Sequence, residues 1–212
     1  MSSQYTETLN VCLPLRSCLY FLPQIMRRFE ADMPHVALNI KFMYGEGRKD
    51  LFLRGEQDLL FARESELKRF SHIRLAPLFV SHFYIVACHD DPLAAREILG
   101  EEDLTGRTFM VGGGSPSELV VVQNRITGSG RVRVLNCPDH ETAMANVAAR
   151  KGIVLSPGFA NDHNGEFVWI PFDCPESMKC VFGYHRDDVR KSTRYFIELT
   201  QAAYAHGDTV PL

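Results

Sequence analysis

Two arginines stand where strand-like runs end: Arg16, in the Pro14-Leu15-Arg16-Ser17 stretch after Thr8 to Leu13, and Arg63, directly after Leu59 to Ala62. In open parallel α/β sheets, side chains and helix amino ends converge at the carboxyl ends of the strands. Two guanidinium groups there can grip a carboxylate through paired, charge-assisted hydrogen bonds. Taken singly, each has a plainer reading: an ion pair with Glu64 or Glu66 for Arg63, and a solvated loop for Arg16. Leu15 and Ser17 join the candidates because Ser17 is placed to cap the next helix, whose unpaired N–H groups and positive dipole end favour an anion. A plain N-cap is the alternative for Ser17.

The second half of the chain offers a similar set. Gly112-Gly113-Gly114-Ser115 lies between the apolar run Arg107 to Val111 and a stretch of helical spacing, Ser117 to Ile126. Gly113 and Gly114 permit close backbone approach, and Ser115 adds a hydroxyl beside free amides, a cradle for a carboxylate or phosphate oxygen. The same residues also make a tight turn. No Lys-Ser/Thr follows as in a phosphate-binding loop, and the dinucleotide fingerprint is missing. Asn136 stands at another strand end near His140, with Asp139 between them better suited to capping a helix. Pro157 and Gly158 follow the buried run Ile153 to Leu155, and Phe159 after them serves a core as readily as a ligand.

Other chemistries find little support. The six cysteines, among them Cys12, Cys18 and Cys180, form no C-x-x-C pair and lie in or beside apolar runs, which suits buried thiols. His82, His89, His140, His163 and His185 are scattered without metal-ligand spacing, so neither a metal nor a cofactor is expected. No G-x-S-x-G or carboxylate dyad appears, and no enzyme is expected. With 45% apolar and 23% charged residues and a net charge of −3, the composition is globular and carries no polyanion-binding signature. No run reaches the ~20 apolar residues that span a bilayer. The opening MSSQYTETLN lacks the basic start and apolar core of a secretory signal, so a soluble, cytoplasmic chain without membrane contact is expected.

The elements that would hold these residues alternate. After the first strand, Leu22, Ile25, Met26, Phe29 and Met33 share a helical face, with the start either near Leu22 or near Ser17 and bent at Pro23. Val36 to Tyr44 reads as a strand, Arg48 to Arg54 as a short helix stopped by Gly55, and Leu59 to Ala62 as a third strand. Such an order means parallel strands with right-handed crossovers. Ile73 to Leu78 and Phe83 to Cys88 are two more runs, and the βα pattern then repeats through a helix stopped by Gly152 and strands at Phe167 to Phe172 and Met178 to Tyr184. Ser192 is read as the cap of a final helix facing inward through Tyr195, Phe196, Leu199, Ala202 and Ala203, with Gly207 as its stop.

The segments FLPQIMRRFEADMPHVALNIKF, LRGEQDLLFAR, LAPLFVSHFYIVACHDDPLA, EDLTGRTFMVGGG, DHETAMANVAARKGIVLSPG and FGYHRDDVRKSTRYFIELTQAAY occur in this order over residues 8 to 205. Together they resemble the effector-binding domain of LysR-type transcriptional regulators. The resemblance implies an α/β, type 2 periplasmic-binding-protein fold: residues 1-79 plus 180-212 form one lobe, 80-179 the other, and two crossing strands join them. It also implies a small-molecule effector in the inter-lobe cleft; the candidate contacts at the strand ends are Leu15, Arg16, Ser17, Arg63, Gly113, Gly114, Ser115, Asn136, Pro157 and Gly158. A homodimer or tetramer would act on promoter DNA through a winged helix-turn-helix that has no counterpart in this chain. The chain reads either as an excised sensing part or as a standalone sensor. Two other classes stay in view: a solute-binding protein for a transporter, and an enzyme using Cys18 near a helix amino end as nucleophile.

Overall fold

The computed structural model describes residues 5–45 and 47–205. These fall into two compact units, one of residues 5–80 with 179–205 and one of residues 81–178. The first unit runs β1 (Glu7–Leu13), α1 (Leu22–Asp32), β2 (Val36–Phe42), α2 (Gly47–Leu53), β3 (Leu59–Arg63), α3 (Glu64–Leu67) and β4 (Ile73–Ser81). The second holds β5 (Phe83–Ala87), β6 (Thr108–Gly112), α4 (Ser117–Gly128), β7 (Arg133–Cys137), α5 (His140–Ala148), β8 (Ile153–Pro157) and β9 (Val168–Pro171). The chain then returns through β10 (Met178–His185) and α6 (Lys191–Ala205) to the first unit.

Each unit is built on one five-stranded mixed sheet, ordered β2-β1-β3-β10-β4 in the first and β7-β6-β8-β5-β9 in the second. In both, the strands joined through helices pair in parallel, as the crossover rule requires: β1 with β2 and β3, and β6 with β7 and β8. The returning strands β10, against β3, and β5, against β8 and β9, are antiparallel.

Strand periodicity divides the residues between the faces. In the first unit Cys12, Leu60, Ala62 and Val181 pack with Phe52 of α2 and Leu67 of α3 on one face. On the other, Phe182 of β10 meets Phe196 of α6, which sits edge-to-face on Phe29 of α1 with ring centroids 5.5 Å apart. In the second unit Ile85, Phe109, Ile153 and Leu155 pack with Leu119, Val122 and Ile126 of α4. Val86, Met110 and Val154 face Ala143 and Val147 of α5. Every buried Phe or Leu of these layers stabilises its unit by about 1.5–3 kcal/mol relative to an exposed one.

Several local expectations are corrected. Of the two expected starts the first helix takes the later, Leu22 with Pro23 in its first turn, but its N-cap is Phe21, so Ser17 does not cap it. Ser17 lies within a separate 3-10 turn, Arg16–Cys18. The helix α5 is ended not by Gly152 but by Arg150, which takes a left-handed φ of 57°. Gly152 serves packing instead, because a Cβ there would lie closer than 3.0 Å to the Thr108 carbonyl oxygen. Pro157 belongs to β8 rather than to the turn after it. The inward face of α6 is Ser192, Thr193, Phe196, Ile197 and Thr200, and Ala202 is exposed. Gly207 lies outside the described residues.

Ser192 is not the cap of α6 either; its hydroxyl donates to Glu7. The start of that helix is organised by Asp188, which accepts from the Arg190 amide at 3.0 Å and from the Thr193 hydroxyl at 2.8 Å. Arg190 bridges Asp188 at 2.6 Å and Asp58 at 2.5 Å, and Asp58 in turn accepts from the amide of Asn10. One guanidinium thus ties β1, the turn before β3 and α6 together. Burial opposes ionisation of Asp188, but the hydrogen bonds from Arg190 and Thr193 outweigh it and hold the carboxyl below its ordinary value. A depressed carboxyl contributes stability above the unfolded-state value and loses it as pH falls through the folded one. Stability is therefore expected to drop as acid is added below about pH 4. Asp188→Asn should flatten that acid limb in denaturant titrations at stepped pH; an unchanged limb would remove Asp188 from the account.

Candidate functional site

In the first unit the turn after β1 and the end of β3 lie at one edge of the sheet. The register pairs Val11 with Leu59 and Cys12 with Leu60, so β3 runs past Leu13 and Arg63 ends level with the turn. At that edge Leu15 is half-buried, Arg16 is exposed, and Ser17 is half-buried within its 3-10 turn. Arg63 is not an open guanidinium. It pairs with Glu66 at 3.3 Å, and its own amide donates to the same carboxylate at 2.9 Å.

Glu66 also binds Arg48, at 3.0 and 3.2 Å to its two oxygens, while Arg48 donates to the carbonyl of Phe61. Side-chain exposures of 12% for Arg48, 14% for Glu66 and 18% for Arg63 make this a largely desolvated trio with one net positive charge. Sequence reading placed an ion pair with Glu66 among the alternatives for Arg63 but missed Arg48. The Arg63-x-x-Glu66 spacing was the available signal; nothing in the sequence pointed to Arg48 reaching across from α2.

Cys18 is buried and its thiol is pushed up to about 12, chiefly by burial. Burial thus favours the protonated thiol, which works against the nucleophile reading of Cys18.

In the second unit the register places Gly113, Asn136 and Pro157 at one edge. Val111 pairs with Asn136, Gly112 with Cys137, and Met110 with Val154. Gly113 is demanded by the backbone, since a Cβ there would lie closer than 3.0 Å to the Pro138 carbonyl oxygen. Its N–H is spent on the Cys137 carbonyl at 2.9 Å, so the cradle of free amides is smaller than the sequence suggests. Gly114 takes φ +73°, where a side chain would be strained.

Ser115 donates to the Gly112 carbonyl at 2.8 Å and accepts from Gln123 at 3.3 Å, leaving its oxygen one free acceptor position. Gln123 is buried on α4 and went unnoticed in the sequence, where it falls in the stripe Val120 to Ile126. Asn136 is exposed at the end of edge strand β7.

Pro157 is buried. Gly158 donates to the His82 carbonyl at 2.8 Å and leaves no room for a Cβ against Tyr84. Phe159 packs on the core, and its amide donates to Ser81 at 3.2 Å. Asp139 caps α5 as expected, accepting from the Thr142 amide at 2.7 Å. His140 behind it is held below the ordinary imidazole value by burial, against Glu141 and Asp139, so it is neutral at pH 7.

Each unit thus gathers its own candidates at one edge of one sheet: Leu15 to Ser17 with Arg63 in the first, and Gly113 to Ser115 with Asn136, Pro157 and Gly158 in the second. The arrangement contains polar hydrogen-bonding groups and cations but no nucleophile with an adjacent base. The sequence profile of the LysR substrate binding domain matches residues 2–205. The chain belongs to this family. No curated protein matches it.

Among solved structures, the BenM effector binding domain with its effector benzoate superposes with a TM-score of 0.75 at 19% identity, covering 98% of this chain and 96% of that one. The MetR regulatory domain from N. meningitidis gives 0.66 at 22%, covering 94% of each. The Synechocystis PCC6803 CcmR regulatory domain in complex with 2-PG gives 0.72 at 18%, covering 93% and 97%. At these identities the likeness speaks for the fold, the two-lobed, type 2 periplasmic-binding-protein-like α/β architecture of LysR effector-binding domains. The family is a regulatory one. Among the described residues no helix is long and apolar enough to cross a membrane.

Proposed function

We propose that this LysR-type domain senses a small, carboxylate-bearing metabolite, with contacts from the strand carboxyl ends of each unit: Leu15, Arg16, Ser17 and Arg63, and Gly113, Gly114, Ser115, Asn136, Pro157 and Gly158. The observation that carries this reading is Arg16. Its exposed guanidinium stands at the end of β1 and makes no ion pair among the described residues, whereas Arg63 beside it is already oriented by Glu66. A carboxylate entering there meets one free fork and one pre-set fork, so little side-chain freedom is lost on binding. That benzoate is the effector of BenM and 2-PG is bound by CcmR supports an anion on this fold.

In this reading the domain works within a homodimer or tetramer of a regulator and affects promoter DNA only through a helix-turn-helix outside these residues. Val121 on α4 and Val134 and Leu135 on edge strand β7 are exposed apolar side chains that suit such association. Ligand then acts through contacts that differ between conformations.

The test is a thermal-shift screen of aromatic and aliphatic carboxylates against their amides, with sedimentation of the same samples. A carboxylate is expected to raise the melting temperature while its amide does not, and Arg16→Ala should weaken binding about 10–100-fold, the worth of one charge-assisted contact. Equal stabilisation by amides and acids would overturn the anionic reading, and a monomer at high concentration would overturn the oligomer.

A further inference from the structure

The second unit carries a basic cavity at the edge of its sheet opposite Gly113 and Pro157. It has a volume of about 350 Å³ and is formed where β6, β7 and β8 begin, lined by Arg107, Arg133, Arg150 and Lys151 together with Asp90 and Asp91. Four cations against two carboxylates leave two positive charges in excess, in a chain whose net charge is −3. The volume lies within the range of small-molecule sites.

The two carboxylates are already engaged in different ways. Asp91 pairs with Arg107 and also accepts from the Leu93 amide at 2.9 Å, so Arg107 is fixed against the cavity wall. Asp90 pairs with Arg150 at 2.7 Å, but both side chains are mostly exposed, and such a pair is worth little and exchanges readily for a better anion. Arg133 and Lys151 make no ion pair among the described residues.

An independent observation concerns Arg150. It occupies the position just past the C-cap of α5 with φ 57°, where glycine is the usual residue because a side chain costs energy in left-handed backbone. The strained residue is the one that brings a guanidinium to the cavity. Strain of this kind persists where the surroundings or a function require it. Gly152, two residues on, allows the backbone to close against Thr108 and brings the start of β8 beside that of β6.

We infer that this cavity is a second anion site, separate from the carboxylate contacts proposed above, and that it takes a phosphate group, free or carried by a small metabolite. Two unpaired cations match a phosphate dianion, and the forks of Arg133 and Arg150 suit its oxygens, with Lys151 as a point charge. Arg107, held by Asp91, lines the wall behind them.

The test uses the whole chain at low ionic strength, with inorganic phosphate and glycerol phosphate as probes, followed by calorimetry and by backbone amide NMR. Both probes should shift the amides of Gly106 and Gly152, leaving Gly113 and Gly114 in place. Tighter binding of glycerol phosphate identifies the ester as the better ligand, tighter binding of inorganic phosphate identifies the free ion, and equal binding shows that the phosphate group alone is read. Arg133→Ala with Lys151→Ala should weaken binding by at least about tenfold. Arg150→Gly should weaken it too, while leaving the denaturation midpoint unchanged or higher because left-handed strain is relieved. The inference is overturned if neither probe at millimolar concentration shifts these amides, if the probes shift only Gly113 and Gly114, or if the double variant binds as the wild type does. These outcomes leave the carboxylate screen untouched, so either reading can fail alone.

Discussion

Glu66→Ala is expected to cost the first unit about 3–5 kcal/mol, because it leaves the guanidinium groups of Arg48 and Arg63 facing each other with their shared carboxylate gone. The loss arises because two poorly hydrated charges lose the carboxylate they share, rather than from the Coulomb energy of the bridge. Glu66→Gln keeps the shape and some hydrogen bonds, and should lose less. The sharper comparison replaces all three residues by apolar ones of similar volume. Buried ion pairs exchanged for well-packed apolar groups are often neutral or better in stability. Stability should therefore return in the triple variant while carboxylate binding through Arg63 does not. Urea denaturation supplies the first quantity and the melting shift with ligand the second. A stable Glu66→Ala protein would show that Arg48 and Arg63 find other partners easily.

Gly152→Ala and Gly113→Ala are expected to destabilise the second unit by about 3 kcal/mol each, at the upper end of what overpacking costs. In both cases the added methyl meets a backbone carbonyl oxygen, of Thr108 or Pro138, closer than 3.0 Å, and a backbone group yields less than the far end of a side chain. These glycines stand beside opposite ends of the same strand, β6. Gly130→Ala is the control. It has φ +69° and nothing within 4 Å of an added Cβ, so it pays only the left-handed penalty of roughly 1–2 kcal/mol. If all three cost the same, backbone conformation rather than close approach sets the requirement.

The large elements were legible because their signals are strong. The 3.6-residue stripe of Leu22, Ile25 and Phe29 and the runs Leu59 to Ala62 and Ile153 to Leu155 depend only on periodicity and burial, and the structure places each in a helix or strand of the expected kind. The Asp139 cap was readable because capping is local.

What escaped were the choices made by tertiary contact. Ser192 looks like a cap, yet Glu7, far away in sequence, takes its hydroxyl, and Asp188 organises the helix start. Gly152 looks like a helix stop, yet the helix ends on a left-handed Arg150 and the glycine is needed by a neighbouring strand. At the candidate site, the positions of Arg16 and Arg63 at strand ends were readable. The grip of Glu66 on Arg48 and the grip of Gln123 on Ser115 were not, since each joins residues from different elements.

Strand β10 lies between β3 and β4 in its sheet but follows the whole of the second unit in the chain. On the ribosome this order has a consequence. Residues 81–178 can finish folding while β3 and β4 still wait for the strand that separates them, and both present open edges of the kind that pair with other chains. The first unit to begin synthesis is therefore the last to close, and the chain is most exposed to aggregation in the interval before Met178–His185 emerges.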